Sequence, residues 1–82
     1  MPDKSVHIQY YATLREQRGT SEETISTSST TPEELYEELQ VRYGFDLLPE
    51  SLRVAVNDRF STWDTALDEG DTVVFIPPVS GG

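Results

Sequence analysis

The sequence predicts an α+β fold, a mostly β sheet crossed on one face by a single amphipathic helix. Strand-period alternation marks the start of the chain, a short continuous apolar run marks a strand near its end, and one stretch between them has helical period with its own start and stop signals. The length of 82 residues makes one small domain, with no room for a second. A chain of this size buries roughly 60–65% of the surface that its unfolded form exposes, so the core has to be close-packed.

Val6, Ile8 and Tyr10 alternate with His7, Gln9 and Tyr11, the period of a half-buried first strand. The polar stretch from Glu16 to Thr20 contains Gly19 and reads as a turn. Residues Glu23 to Ser29, with Thr24, Ile25 and Thr27, are rich in β-branched side chains and return as a second strand, whose polarity places it at an edge. The first thirty residues are therefore expected to form a strand–turn–strand hairpin.

The segment TTPEELYEELQVRYG predicts a helix over Pro32 to Tyr43. Thr31 can cap it, Pro32 suits the first helical position, and Glu34 stands three residues after the cap. Two acids in the first turn complement the helix dipole. Leu35, Leu39 and Tyr43 form an apolar stripe widened by Tyr36, and Gly44 supplies the left-handed stop.

After a loop with Leu47, Leu48 and Pro49, the segment LRVAVN turns Leu52, Val54 and Val56 inward. Asn57-Asp58 begins a turn, with Phe60 just beyond it in a short connection. LDEGD is a tight turn around Gly70 that leads into TVVFI. Val73 to Ile76 suit a central strand covered on one face and partly on the other. Pro77 and Pro78 end its ladder by removing two amide donors. The order is strand, strand, helix, strand, short connection, strand, which corresponds to the β-grasp roll.

Charge and composition bound the chemistry. Fifteen acidic residues face six basic ones, for a net charge of −9. That balance repels phosphate backbones and anionic membranes and favours basic protein grooves. It also makes a soluble surface. Lys4 is the only lysine, and cysteine is absent, so neither a disulfide nor a thiolate site exists. The N-terminus lacks an apolar leader, and a cytoplasmic location is the default expectation.

Catalytic side chains are not evident. His7 is the only histidine, on a strand, with no nucleophile–base pair near it in sequence. Glu33, Glu34, Glu37 and Glu38 read as a solvated helix face. Asp68, Glu69 and Asp71 flank a turn glycine without calcium-loop spacing, so no metal site is expected.

The ending FIPPVSGG is different. The prolines pre-extend the chain beyond the last strand. Val79 and Ser80 are modest in size, and Gly81-Gly82 have no side chain at all. Such a tail, 78–82, is expected to be a flexible functional extension that a partner can admit into a narrow channel by main-chain hydrogen bonds. The Gly82 carboxylate is a poor electrophile until it is adenylated, and the paired glycines leave its acyl carbon unobstructed.

The segments YYATLRE, AVN with Phe60 three positions after Asn57, LDEGDTVVFIPP and PPVSGG together resemble one family along essentially the whole chain. That family is the small subunit of molybdopterin synthase, a ubiquitin-like sulfur carrier. The resemblance implies that an adenylating enzyme activates Gly82 with ATP and magnesium, and that a sulfurtransferase supplies the sulfur of a thiocarboxylate. The tail then enters the large synthase subunit, where sulfur passes to cyclic pyranopterin monophosphate. The chain itself is expected to bind no cofactor and to be no enzyme on its own.

The resemblance further implies docking through Tyr11, Phe60 and Ile76, with Pro77, Pro78, Val79 and Ser80 leading into the channel and Gly81 and Gly82 at the reacting end. Parity supports the exposure of Tyr11, opposite Tyr10, and the three together predict an apolar surface patch. Tyrosine and isoleucine stand where the family commonly places phenylalanine. The same tail chemistry would serve a carrier for thiamine or tungsten cofactor assembly, or a ubiquitin-like modifier joined through Gly82 to lysines. A passive β-grasp interaction module makes no use of the terminus.

Overall fold

Strand β1 (Lys4–Tyr10) buries Val6, Ile8 and Tyr10, the alternation that its sequence predicts. The computed structural model describes residues 3–77. Their element order continues with α1 (Ala12–Arg18), β2 (Glu22–Thr27), α2 (Pro32–Tyr43), a single 3-10 turn (Pro49–Ser51), β3 (Arg53–Val56), β4 (Arg59–Ser61) and β5 (Thr72–Ile76). The strands form one sheet in the order β2-β1-β5-β3-β4. β5 is central, parallel to β1 and antiparallel to β3, while β2 and β4 are edges.

Helix α2 has the predicted bounds, and its signals work locally. The Thr31 hydroxyl accepts from the Glu34 amide at 3.3 Å, and Gly44 takes φ +73° with its amide on the Gln40 carbonyl. Glu34 reaches back to Thr30, whose amide and hydroxyl donate to its carboxylate and hold its pKa below the usual range. Leu35, Tyr36 and Leu39 are fully buried, and Tyr43 is half-buried.

The first connection corrects the expected hairpin. The stretch read as a turn at Glu16–Thr20 belongs mostly to α1, which buries Leu14 and ends at Gly19 with φ +84°. The second strand runs over Glu22–Thr27 rather than Glu23–Ser29. The expected short connection after Asn57-Asp58 contains β4, paired to β3. Asn57 and Asp58 both have positive φ, +53° and +70°, the geometry of a two-residue turn whose twist matches its flanking strands. Asn57 also donates to the Asp71 carboxylate at 2.8 Å and accepts from the Thr72 amide at 3.0 Å, tying this turn to the start of β5.

The acids singled out in sequence have structural partners. Glu38 is not part of a purely solvated face: it accepts from Thr27 at 2.6 Å, Ser29 at 3.1 Å and Arg42 at 2.9 Å. Asp71 caps the amide of Asp68, and Glu69 accepts from the Ser5 amide.

One core fills the space between sheet and α2. Tyr36 lies at its middle, 5.1 Å from the Phe75 ring, 6.0 Å from Phe45 and 6.1 Å from Trp63 by centroids. Trp63 in turn stacks on Phe75 at 5.9 Å. Burial pushes the Tyr36 phenol up to about 12, and its hydroxyl donates to the Leu47 carbonyl at 2.8 Å. Such offset and tilted pairs add roughly 0.5–1.5 kcal/mol each beyond area burial.

A polar knot closes the α1 end. Glu23 accepts two bonds from Arg18, at 2.9 and 2.8 Å, and one from the buried Tyr10 hydroxyl at 2.6 Å. Arg18 also lies 4.0 Å over the Tyr43 ring. The Arg18 bonds depress the Glu23 pKa, and burial raises that of Tyr10. A depressed carboxylate contributes stability that is fully present above its unfolded pKa and is lost as pH falls through the folded one. Glu23→Gln should therefore lower the thermal midpoint at pH 7 by about 5–10 °C for a domain this size. Its deficit against the parent should shrink as unfolding is followed below pH 4.

Candidate functional site

Strand parity builds a second apolar surface on the sheet face away from α2. With Phe75 turned into the core, Val74 and Ile76 point the other way. Register places Gln9, Val74, Ala55 and Phe60 in one row across β1, β5, β3 and β4. Val74 and Ala55 are buried within that row, whereas Phe60 is 72% exposed. Tyr11, in extended conformation directly after β1, is 48% exposed and leads into α1.

Tyr11, Phe60 and Ile76 meet in one groove of about 240 Å³, lined also by Gln9, Ala55, Asp58 and Val74. An adjoining groove shares Phe60 and Ile76 and continues past Leu52 and Arg53 to Pro77. Pro77 is the last described residue, so the two grooves flank the point where the chain leaves β5. Ile76 corrects one part of the expected patch: it is half-buried and forms the groove's wall, while the two aromatic rings stand out from it. Pro78, Val79, Ser80, Gly81 and Gly82 lie outside the described residues.

Ala55, Val74, Gln9 and Arg53 also line this region and were not singled out in sequence. The signal was available for two of them. Ala55 lies between inward Val54 and Val56, and Val74 between inward Val73 and Phe75, so parity alone turns both outward.

The groove is suited to adhesion rather than bond chemistry. Its walls are mostly apolar, and its polar members are the Gln9 amide, the Ser51 and Tyr11 hydroxyls and the charges of Glu50, Arg53 and Asp58. His7 lies elsewhere on the sheet, with Nε2 2.6 Å from Glu22 and Nδ1 3.0 Å from the Thr24 hydroxyl. Among the described residues, no three His, Asp or Glu side chains gather as metal ligands. No helix among them is long and apolar enough to cross a membrane.

The family model for ThiS matches residues 8–82. This chain belongs to the ThiS family. Among its relatives, the molybdopterin synthase sulfur carrier subunit of Escherichia coli is 31% identical over 80 residues, covering 94% of this chain and 99% of that protein. A solved molybdopterin converting factor subunit 1 from Pyrococcus furiosus superposes with TM-score 0.77 at 30% identity, over 93% of this chain and 99% of that one. These likenesses bear out the resemblance to the small synthase subunit and the ubiquitin-like β-grasp fold.

Another ThiS-like structure is a complex of subunits 1 and 2 of molybdopterin-converting factor from Helicobacter pylori, with TM-score 0.64 and 25% identity. It covers 95% of this chain and 99% of that one. SAMP1 of Haloferax volcanii, a small archaeal modifier protein, shares the fold at TM-score 0.77 with 23% identity, covering 95% of this chain and 99% of that one.

The two faces of the sheet should respond differently to substitution. Phe60→Ser removes a mostly exposed ring and should leave urea unfolding within about 0.5 kcal/mol of the parent. Phe75→Ala empties the aromatic core and should cost about 3–5 kcal/mol in the same experiment.

Proposed function

We propose that this ThiS-family chain is the sulfur-carrying small subunit of a molybdopterin synthase, with no catalytic side chains of its own. The observation that carries the reading is its near-full-length likeness to a molybdopterin synthase sulfur carrier subunit. The exposed Phe60 and Tyr11 beside Pro77 support it, because an apolar groove at the tail's root is what a partner would grip before admitting the tail.

In this mechanism an activating enzyme brings ATP and magnesium. A Gly82 carboxylate oxygen attacks the α-phosphorus, pyrophosphate leaves, and the acyl adenylate forms. A sulfide equivalent from a sulfurtransferase displaces AMP and leaves the thiocarboxylate. Within the large subunit the thiocarboxylate sulfur attacks a carbon of the pterin precursor and displaces the oxygen substituent that this carbon bears, giving an acyl thioester of the pterin. Water then cleaves the acyl–sulfur bond, leaving sulfur on the pterin and returning Gly82 to a carboxylate. Two deliveries complete a dithiolene. Tyr11, Phe60, Ile76 and Pro77 hold the domain against the partner, and Pro78 through Gly81 thread its channel. The partner of the Helicobacter pylori subunit 1 is named subunit 2 of the same factor, which supports a large-subunit partner here.

A lysine-directed modifier would begin from the same adenylate. Its structural counterpart is similar in fold at lower identity, which favours that reading less. Intact mass spectrometry of the chain from cells containing the activating enzyme separates them. The expected species has one sulfur in place of oxygen at Gly82, and deleting Gly82 should abolish it without shifting the unfolding midpoint. Recovery only as the unmodified chain, or only as lysine conjugates, would contradict the proposal.

A further inference from the structure

The tail-root groove has a charged residue with no ion-pair partner among the described residues. Arg18 is paired with Glu23 and Arg42 with Glu38, and Lys4 donates to the Ser29 carbonyl at 2.7 Å. Arg15, Arg53 and Arg59 are exposed and make no salt bridge among the described residues, and of the three it is Arg53 that lines this groove. Register sets it opposite Ile76, and it lines one groove with Leu52, Phe60, Ile76 and Pro77. Glu50 lines the same groove and forms no ion pair with it. A guanidinium held at the rim of an apolar groove, with its planar fork free, is a ready donor for a bidentate bond to a carboxylate.

We propose that Arg53 pairs with a carboxylate on the tail-accepting protein, and that this protein presents an apolar socket edged by an acidic side chain. The proposal rests on the functional reading above, and it adds what that reading leaves open, the charge expected at one point of the partner. Overall charge argues for a basic partner surface, since a chain of −9 is drawn to positive potential. Arg53 is a local exception to that field. Its pairing distinguishes one rotational orientation of the domain about its tail from the others, so that Phe60 and Pro77 arrive together.

Position supports a specific role over general steering. Arg42 carries the same charge on α2, across the sheet from the groove, and is already engaged by Glu38. Reversing either residue changes the net charge equally, whereas only Arg53 adjoins Phe60, Ile76 and Pro77.

Calorimetric titration of the full chain into the large synthase subunit tests this, with Arg53→Glu, Arg53→Lys, Arg42→Glu and Phe60→Ser compared at two salt concentrations. Circular dichroism and thermal midpoints confirm that each variant is folded. Arg53→Glu should weaken binding by about tenfold or more, and Arg53→Lys by an intermediate amount, since an ammonium keeps the charge and loses the bidentate geometry. Arg42→Glu should stay within about threefold of the parent, as expected for a charge outside the interface. Added salt should narrow the gap between the parent and Arg53→Glu. If the parent and Phe60→Ser behave as a docking surface requires while Arg53→Glu binds like Arg42→Glu, the Arg53 proposal is overturned alone. Failure of the folded parent chain to bind the large subunit would overturn both the proposal and the functional reading beneath it.

Discussion

The packing of Phe75 against both Tyr36 and Trp63 is the interaction on which the rest of the arrangement depends. A strand has a period of two, so fixing one inward ring fixes both neighbours outward. Val74 and Ile76 are thereby committed to the second face. The β1–β5 parallel pairing and β3–β5 antiparallel pairing then bring Gln9 and Ala55 to them, and the β3–β4 hairpin brings Phe60. A one-residue slip would exchange the two faces and place the aromatic ring of Phe75 in the groove. The same pairing makes β5 the central strand, so the chain leaves the sheet with structure on both sides. Proteins that place a reactive tail through a partner need such an exit, because the grip and the reacting end have to be held at a fixed separation.

The two faces divide the work. Residues buried toward α2 supply stability through ordinary packing, and the knot of Arg18, Glu23, Tyr10 and Tyr43 pins α1 and β2 to that core. The outward face has Phe60 and Tyr11 in the open, where they contribute little to folding. Exposed aromatic rings over a buried floor of Val74 and Ala55 have the character of an interface centre, which is enriched in aromatic residues and arginine. The surplus of carboxylates elsewhere keeps such a surface soluble when it is not engaged.

The legible parts of the sequence were those whose causes are local. Helix α2 carries its own cap, its own proline, its own stripe and its own stop, so its bounds follow from fifteen contiguous residues. The inward positions of β1 and β3 follow from alternation, as does the outward direction of Tyr11, whereas the continuous apolar run of β5 shows a central strand without showing which residues face α2. Helix α1 was not legible because its seven residues bury only Leu14, its N-cap Tyr11 makes no side-chain cap bond, and its first turn has no acid. What holds it is tertiary: Leu14 in the core and Arg18 on Glu23. β4 is three residues long with an exposed phenylalanine at its centre, so it shows no burial pattern and exists through its pairing with β3. Within the candidate site, Tyr11 and Phe60 are exposed as expected. Ile76 is more enclosed because Val74, Ala55 and Phe60 surround the outward side of its strand.

On the proposed function, this domain grips a large subunit so that a sulfur-charged Gly82 can react inside it. The most direct measurement is conversion of the purified pterin precursor to molybdopterin by the thiocarboxylated chain and its large subunit, followed chromatographically in single-turnover amounts. The expected result is product limited by two thiocarboxylates consumed per pterin, with the chain recovered as its carboxylate. Thiocarboxylate that remains intact in a stable complex with the large subunit and precursor, with no pterin product, would contradict it.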